Sequence, residues 1–422
     1  MTKPLEVNPL KLSQPMGALI AFLGVKNSMP LMHGAQGCAS FSKVFFTRHF
    51  NDPIAIQTTA VNDITAVIDG GDYSISEAVK NITLKVKPEL IGLFTTGLTE
   101  TKGDDIKGVA SLLKDEHTIV YAHTPDFEGG LESGYTKAVE AIIDQIVVAT
   151  LMCEKKITII PHVSMTPLEV EVIKEQVELF GWSVYALPDI SESLDGHLGE
   201  KQGALSSNGI SMSEIVELGS SSAVLTIGNS VHSCGTKLCN KNKNMKHIHF
   251  DSLGGLVNSD KFYGSLMEIS AVAMPHSKTI RWRKRVQDAL LDTHFILGGK
   301  QIVIAAEPDL ILSLSSVLTE AGAYIKAIVS PTKSSSLDSI KTENKIIGDL
   351  GDVEGFLDKE TLLITNFHGE RLAKKEHSIL VTRGYPNYEL VGNQLKNDLL
   401  YEGTAQFLFE VANCIIANSN HH

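Results

Sequence analysis

The sequence predicts an α/β fold of three Rossmann-like domains, each a mainly parallel sheet flanked by helices. Length is the first reason: 422 residues exceed the roughly 250–300 that one hydrophobic core accommodates. The second is a set of short segments that are apolar throughout rather than alternating, a pattern that requires cover on both faces of a sheet. The third is the Gly/Ser/Thr/Pro turn and amphipathic helix that come after these segments, which is the rhythm of parallel sheets. Hydrophobic content of 43% against 20% charged residues belongs to a folded chain, not a disordered one.

In chain order, Leu90 to Thr95 (LIGLFT) reads as a buried strand before the turn Thr96-Gly97-Leu98-Thr99. Asp104-Asp105 then marks a helix start, where aspartate caps free N–H groups and favours the positive end of the dipole. Thr118 to Ala122 is the next strand, ending in His123-Thr124-Pro125. Ile157 to Ile160 precedes Pro161-His162, a helix from Pro167 to Phe180 and the strand Ser183 to Leu187. Ala223 to Ile227 ends at Gly228-Asn229-Ser230, and Gln301 to Ala305 ends at Glu307-Pro308-Asp309 before a helix to Ala321. Ala323 to Val329 and Leu362 to Thr365 complete the strands, and Thr404 to Ala417 forms an apolar helix.

Two boundaries are expected, one at the charged step from Cys153 to Lys156 and one around Met274 to Arg285, where Pro275 and a basic run precede a new strand. They divide the chain into 1–153, 154–275 and 276–422, the last closing on the C-terminal helix. Ligands of such sheets collect at the carboxyl ends of strands, so the turns after Thr95, Ala122, Ile227 and Ala306 are where chemistry is expected.

A net charge of −12 argues against broad binding of nucleic acid or an anionic membrane surface. The run Arg281, Arg283, Lys284 and Arg285 around Trp282 reads as a solvated helix face. No apolar stretch is long enough to span a bilayer, and residues Met1 to Gln14 lack the pattern of a secretory signal. Five cysteines, at 38, 153, 234, 239 and 414, have no framework spacing, which suits a reducing compartment, the cytoplasm by default. The terminal His421-His422 is read as a tag remnant and set aside as a metal ligand.

Nucleotide chemistry is not indicated: no turn carries G-x-G-x-x-G with a downstream acid, and no Walker A sequence is present. Gly70-Gly71-Asp72 and Gly298-Gly299-Lys300 are glycine pairs without the full spacing. There is no G-x-S-x-G elbow. Cys234 and Cys239, with His232, His247 and His249 nearby, invite a zinc or cluster reading. If the segment opens a helix, however, five residues do not bring both thiols to one side, and helix packing is the favoured role. Cys153 and Cys414 are read as core packing.

Cys38 stands apart. It closes His33-Gly34-Ala35-Gln36-Gly37-Cys38, within a stretch from Pro30 to Phe50 rich in Gly, His and aromatic residues. Glycines beside a thiolate let backbone N–H groups approach an anion closely, which suits an iron–sulfur cluster. Such a cluster usually takes four thiolates, and the next cysteine is Cys153. Either Cys38 is a small buried residue, or its companion ligands come from another chain.

Several stretches resolve that choice by resemblance. Asn8 to Ala18 (NPLKLSQPMGA), Met32 to Cys38 (MHGAQGC), Arg48-His49-Phe50, Thr95 to Asp105 (TTGLTETKGDD), His123 to Phe127 (HTPDF), Arg383-Gly384-Tyr385-Pro386 and Gly392 to Asp398 (GNQLKND) together resemble the nitrogenase component 1 family along nearly the whole chain. The catalytic β-subunit of that family uses three cysteines for its share of a cluster. They fall where this chain has Ser13, Cys38 and the Thr96-Gly97 turn, so one of three remains.

The resemblance therefore implies the β-like subunit of the family's scaffold for iron–molybdenum cofactor assembly, a scaffold rather than a stand-alone enzyme. It implies that Cys38 is one ligand of a [4Fe-4S] cluster at a subunit interface, with three cysteines from a NifE-like partner in an α2β2 heterotetramer. Gly37, Ser40 and Phe41 are expected around the ligand. Arg48, His49 and Phe50 are expected near the surface where the family's reductase docks. An iron–sulfur precursor supplied by NifB would be held mainly in the partner, with molybdenum and homocitrate added through the Fe protein NifH. A nitrogenase β-subunit and a protochlorophyllide or chlorophyllide reductase-like subunit remain alternatives within the family. Outside it, the alternative is a tandem-Rossmann nucleotide-sugar transferase with Cys38 merely buried.

Overall fold

A computed structural model of the chain describes residues 10–50, 54–59, 61, 71–197 and 204–419. Asn8, Pro9 and most of the Met1 to Gln14 stretch lie outside the described residues, as do Gly70 and His421-His422. Thirteen described strands form three all-parallel sheets. The first holds β1 (Ser28–His33), β2 (Gln57–Thr58), β3 (Leu90–Thr95) and β4 (Ile119–Ala122) in the order β2-β1-β3-β4. The second holds β5 (Glu154–Ile160), β6 (Ser183–Ala186), β7 (Ser221–Ile227) and β8 (Lys246–Phe250) in the order β6-β5-β7-β8. The third holds β9 (Gln301–Ala305), β10 (Tyr324–Ser330), β11 (Lys345–Ile347), β12 (Leu362–Thr365) and β13 (Ile379–Thr382) in the order β11-β10-β9-β12-β13. The expected α/β class and three-sheet plan stand.

Strands that are apolar throughout match the sequence reading, β3, β9 and β12 residue for residue. Of those it missed, β13 is a short apolar run (ILVT), while β1 and β8 have broken or polar sequences. β1 contains Pro30, which removes a ladder donor, yet every residue of β1 is buried. Pro30 is tolerated on the part of β1 that β2, which pairs only Leu31 and Met32, does not reach. β8 reads KHIHF and is a half-exposed edge strand. β5 begins three residues before its expected start because Lys156 is buried but paired, its Nζ lying 3.2 Å from Ser220 Oγ and 3.1 Å from Glu154.

Helix Gln14–Leu23 is buried over its whole length and packs on helix Leu131–Ile146. Two glycines permit that approach. A Cβ on Gly17 would lie 2.0 Å from the Leu131 carbonyl oxygen, and one on Gly134 would lie 2.0 Å from the Gln14 carbonyl oxygen. Asp105 caps helix Ile106–Leu113, accepting from the Gly108 N–H. The basic run lies on helix Ser277–Leu297, where Arg281, Lys284 and Arg285 are exposed and Arg283 makes a two-pronged pair with Asp260 at 2.9 and 2.7 Å. Among the described residues no helix is long and apolar enough to cross a membrane.

The cysteines separate clearly. Cys234 is buried in helix His232–Lys241 with its thiol toward the Thr136 carbonyl, and Cys239 faces the Met245 carbonyl instead. The two serve packing, as expected. Cys414 is half-buried against Leu380. Cys153 departs from the core role expected of it. It is exposed, because the preceding helix ends at Ile146 and the residue lies in the link to β5.

Candidate functional site

In a sheet ordered β2-β1-β3-β4 the connections leave in opposite directions from β1 and β3, and the crevice between their carboxyl ends is where ligands bind. Those ends are tied together. The His33 carbonyl accepts from the hydroxyls of Thr96 at 3.1 Å and Thr99 at 3.0 Å. The His33 ring is clamped on both sides, by Thr59 Oγ1 at 2.9 Å and Asp104 Oδ2 at 2.9 Å, and Asp104 Oδ1 accepts from the Gly71 N–H at 3.1 Å. Burial holds its pKa down, so the clamp rests on a neutral imidazole. Gly34 comes next in the chain, packed so tightly on Thr96 that a Cβ would come within 2.8 Å of its side chain.

Cys38 lies at the third position of helix Gln36–Phe45, which starts from this crevice. Its thiol is exposed in the isolated chain and lines a cleft of about 460 Å³. Leu12, Met16, Met32, Phe41 and Phe45 supply the apolar walls. Ser13 and Thr96 line the same cleft. Ser13 and the Thr96-Gly97 turn, where the resemblance places the other two cysteines of the family's catalytic β-subunit, thus border the cleft of Cys38, the turn through Thr96, and Cys38 is the one thiol in its lining.

Of the residues expected around the ligand, Gly37 and Phe41 line the cleft. A Cβ on Gly37 would meet nothing within 4 Å, so that glycine leaves room in the cleft rather than serving a contact within the chain. Ser40 does not line the cleft. It is exposed outside the cleft wall, with its hydroxyl turned back to the Gln36 carbonyl at 3.3 Å. Partial desolvation by the cleft walls raises the Cys38 thiol pKa, and the Asp126 carboxylate adds to it. The free side chain is therefore a neutral thiol, and a bound cation is what would hold it as thiolate.

Arg48, His49 and Phe50 divide. Arg48 is exposed, but His49 and Phe50 are buried. A surface position for all three is therefore corrected to Arg48 alone. The His49 ring lies 4.7 Å from that of Tyr385, and its Nε2 accepts from the Asn387 N–H at 2.7 Å. They plug the seam where the segments after β1, β5, β9 and β13 meet. Sequence reasoning assigned no role to the plug's charged centre, Arg383. It forks to Asp398 at 2.5 and 3.0 Å and reaches Glu410 at 2.5 Å. The cavity left beside it is about 40 Å³, room for a few waters.

Among the described residues no three His, Cys, Asp or Glu side chains are grouped to hold a metal. His232, His247 and His249 pack tilted and edge-to-face on one another, but Thr226 Oγ1 occupies His247 Nε2 at 2.8 Å and His249 Nδ1 at 2.9 Å. One exposed thiol in an apolar cleft, beside a glycine with free space above it, fits a cluster whose other ligands lie on a second chain. It does not fit a cluster held by this chain alone.

The family described as nitrogenase component 1 type oxidoreductase matches residues 13–416. The chain belongs to the nitrogenase component 1 family. It is 38% identical to the nitrogenase iron-molybdenum cofactor biosynthesis protein NifN of Rippkaea orientalis, covering 100% of this chain and 96% of that protein. It is 39% identical to the protein of the same name from Mesorhizobium japonicum, over 99% and 92% of the two chains. The solved structure "Nitrogenase Cp1 at pH 6.5" superposes with a TM-score of 0.93 at 27% identity, covering 100% of this chain and 96% of that one. Family membership over the full length leaves no support for the nucleotide-sugar transferase reading.

Proposed function

We propose that this chain is the β-like subunit of a scaffold on which the nitrogenase iron–molybdenum cofactor is assembled. In this reading it works as part of a multi-subunit complex, and Cys38 is its one ligand to a [4Fe-4S] cluster shared with a NifE-like partner. The observation that carries the reading is the meeting of Ser13, Cys38 and Thr96 around one cleft that retains a single thiol. The names of the full-length relatives support the assembly role.

When bound, the cluster would supply one-electron transfer. The chain's own residues hold one corner and exclude water. Cys38 binds, Gly37 leaves the backbone open to the group, and Phe41, Phe45, Met16 and Met32 supply low-polarity walls. A ligand set divided between two chains links cluster retention to assembly. The plugged crevice around Arg383 leaves about 40 Å³, too little for an iron–sulfur precursor, which favours the partner as its main holder. An α2β2 assembly, NifB as precursor donor and the Fe protein NifH as the source of molybdenum, homocitrate and electrons complete the proposal.

The test is Cys38→Ala in the complex purified with its partner under anaerobic conditions. Iron content should fall by the equivalent of one [4Fe-4S] cluster per αβ pair and the reduced-state EPR signal should vanish, with the fold retained. An unchanged signal would overturn the assignment.

A further inference from the structure

We infer that Asp126 holds the cleft at a negative potential and so lowers the reduction potential of the group that Cys38 ligates, with Lys11 acting in the opposite direction. This rests on the proposed cluster at Cys38 and extends it to two residues with no assigned role.

The position of Asp126 is built rather than incidental. It follows β4 through Thr124, whose N–H donates to Thr95 Oγ1 at 2.8 Å and whose hydroxyl donates to the Thr95 carbonyl at 2.7 Å. These bonds lock the turn after β4 to the end of β3. Asp126 Oδ2 then accepts from the Gly97 N–H at 2.9 Å. A Cβ on Gly97 would lie 3.3 Å from Asp126, so the glycine lets the carboxylate settle against the backbone. Asp126 lines the same cleft as Cys38, and so does Lys11. Lys11 carries its charge on a flexible four-carbon stem, so the anchored Asp126 is the stronger of the two at the ligand.

The sign follows from electrostatics. Reduction adds one electron to a group already surrounded by thiolates. A fixed negative charge nearby opposes that electron, and a positive one favours it. The apolar walls strengthen both effects, and cover by a partner subunit would strengthen them further by excluding water. Two charges of opposite sign on one cleft yield opposite shifts, a pattern that general loosening of the cleft would not reproduce.

The experiment is a dithionite redox titration, read by EPR, of the anaerobic complex carrying Asp126→Asn, Asp126→Glu or Lys11→Gln, with iron measured in each. D126N should shift the midpoint to more positive values, D126E should stay near wild type, and K11Q should shift it to more negative values by a smaller amount. An iron-replete D126N complex with an unmoved midpoint overturns the inference, as do shifts of D126N and K11Q in the same direction. If D126N arrives without iron, K11Q decides: no shift, or a positive one, overturns it. A wild-type complex without iron would instead defeat the cluster reading itself, so the two failures are distinct.

Discussion

The Thr96 hydroxyl donates to the His33 carbonyl at 3.1 Å, joining the ends of β1 and β3 beneath the segment that presents Cys38. The bond is buried, and Thr96 itself is 3% exposed. Thr96→Val keeps the shape and removes the donor, leaving the carbonyl to Thr99 alone. The expected cost is about 1–2 kcal/mol by urea unfolding, with Thr96→Ser near wild type. Equal stability of the valine and serine variants would show that the bond does not hold the crevice.

His49 makes stability depend on pH. Burial pushes its pKa from 6.5 down to about 3, so the folded chain holds it neutral while the unfolded chain takes up a proton below about 6.5. Between these values the unfolded state binds more protons, and stability falls as pH falls, by about 1.4 kcal/mol per pH unit for this residue. His49→Gln keeps an acceptor for the Asn387 N–H but does not titrate. Between pH 6.5 and 5 the wild type should therefore lose stability more steeply than the variant. Parallel curves would contradict the assignment.

Arg383 neutralises a buried acid. Asp398 is 8% exposed, and the guanidinium fork is its cationic partner. Arg383→Met leaves that carboxylate uncompensated, and the expected loss is about 3–5 kcal/mol. Arg383→Lys should recover little of it, since an ammonium cannot make both prongs. Urea midpoints of the two variants check this.

Phe41 and Phe127 are each 62% exposed in the isolated chain, Phe41 in the Cys38 cleft and Phe127 next to Asp126. If a partner covers this face, Phe127→Ala should weaken the complex by tenfold or more, about 1.4 kcal/mol. The variant chain's own stability should stay within about 0.5 kcal/mol of wild type. Analytical ultracentrifugation of the co-purified subunits measures the first quantity and urea unfolding the second.

Much of this protein could be read along the chain because the signals are local. Buried parallel strands such as LIGLFT and QIVIA need apolar residues on both faces and leave a continuous run. A cysteine among glycines is visible in six consecutive residues, and so is its lack of neighbours. Signals failed where a neighbour supplied what the residue lacked. Lys156 sits inside a strand because Ser220 and Glu154 receive it. Pro30 sits in one because β2 stops short of it.

Amino-acid order alone carried the three-sheet α/β plan, the family and the single thiol, all properties of residue type and spacing. Folding decided that Ser13, Cys38 and Thr96 line one cleft, that His49 and Phe50 turn inward to meet Tyr385, and that Asp126 lines the Cys38 cleft while Ser40 does not. Those are meetings between segments from separate strand ends. They are fixed by the glycine-permitted helix contact at Gly17 and Gly134 and by the hydroxyl ties at His33, whose partners lie tens of residues away in the chain.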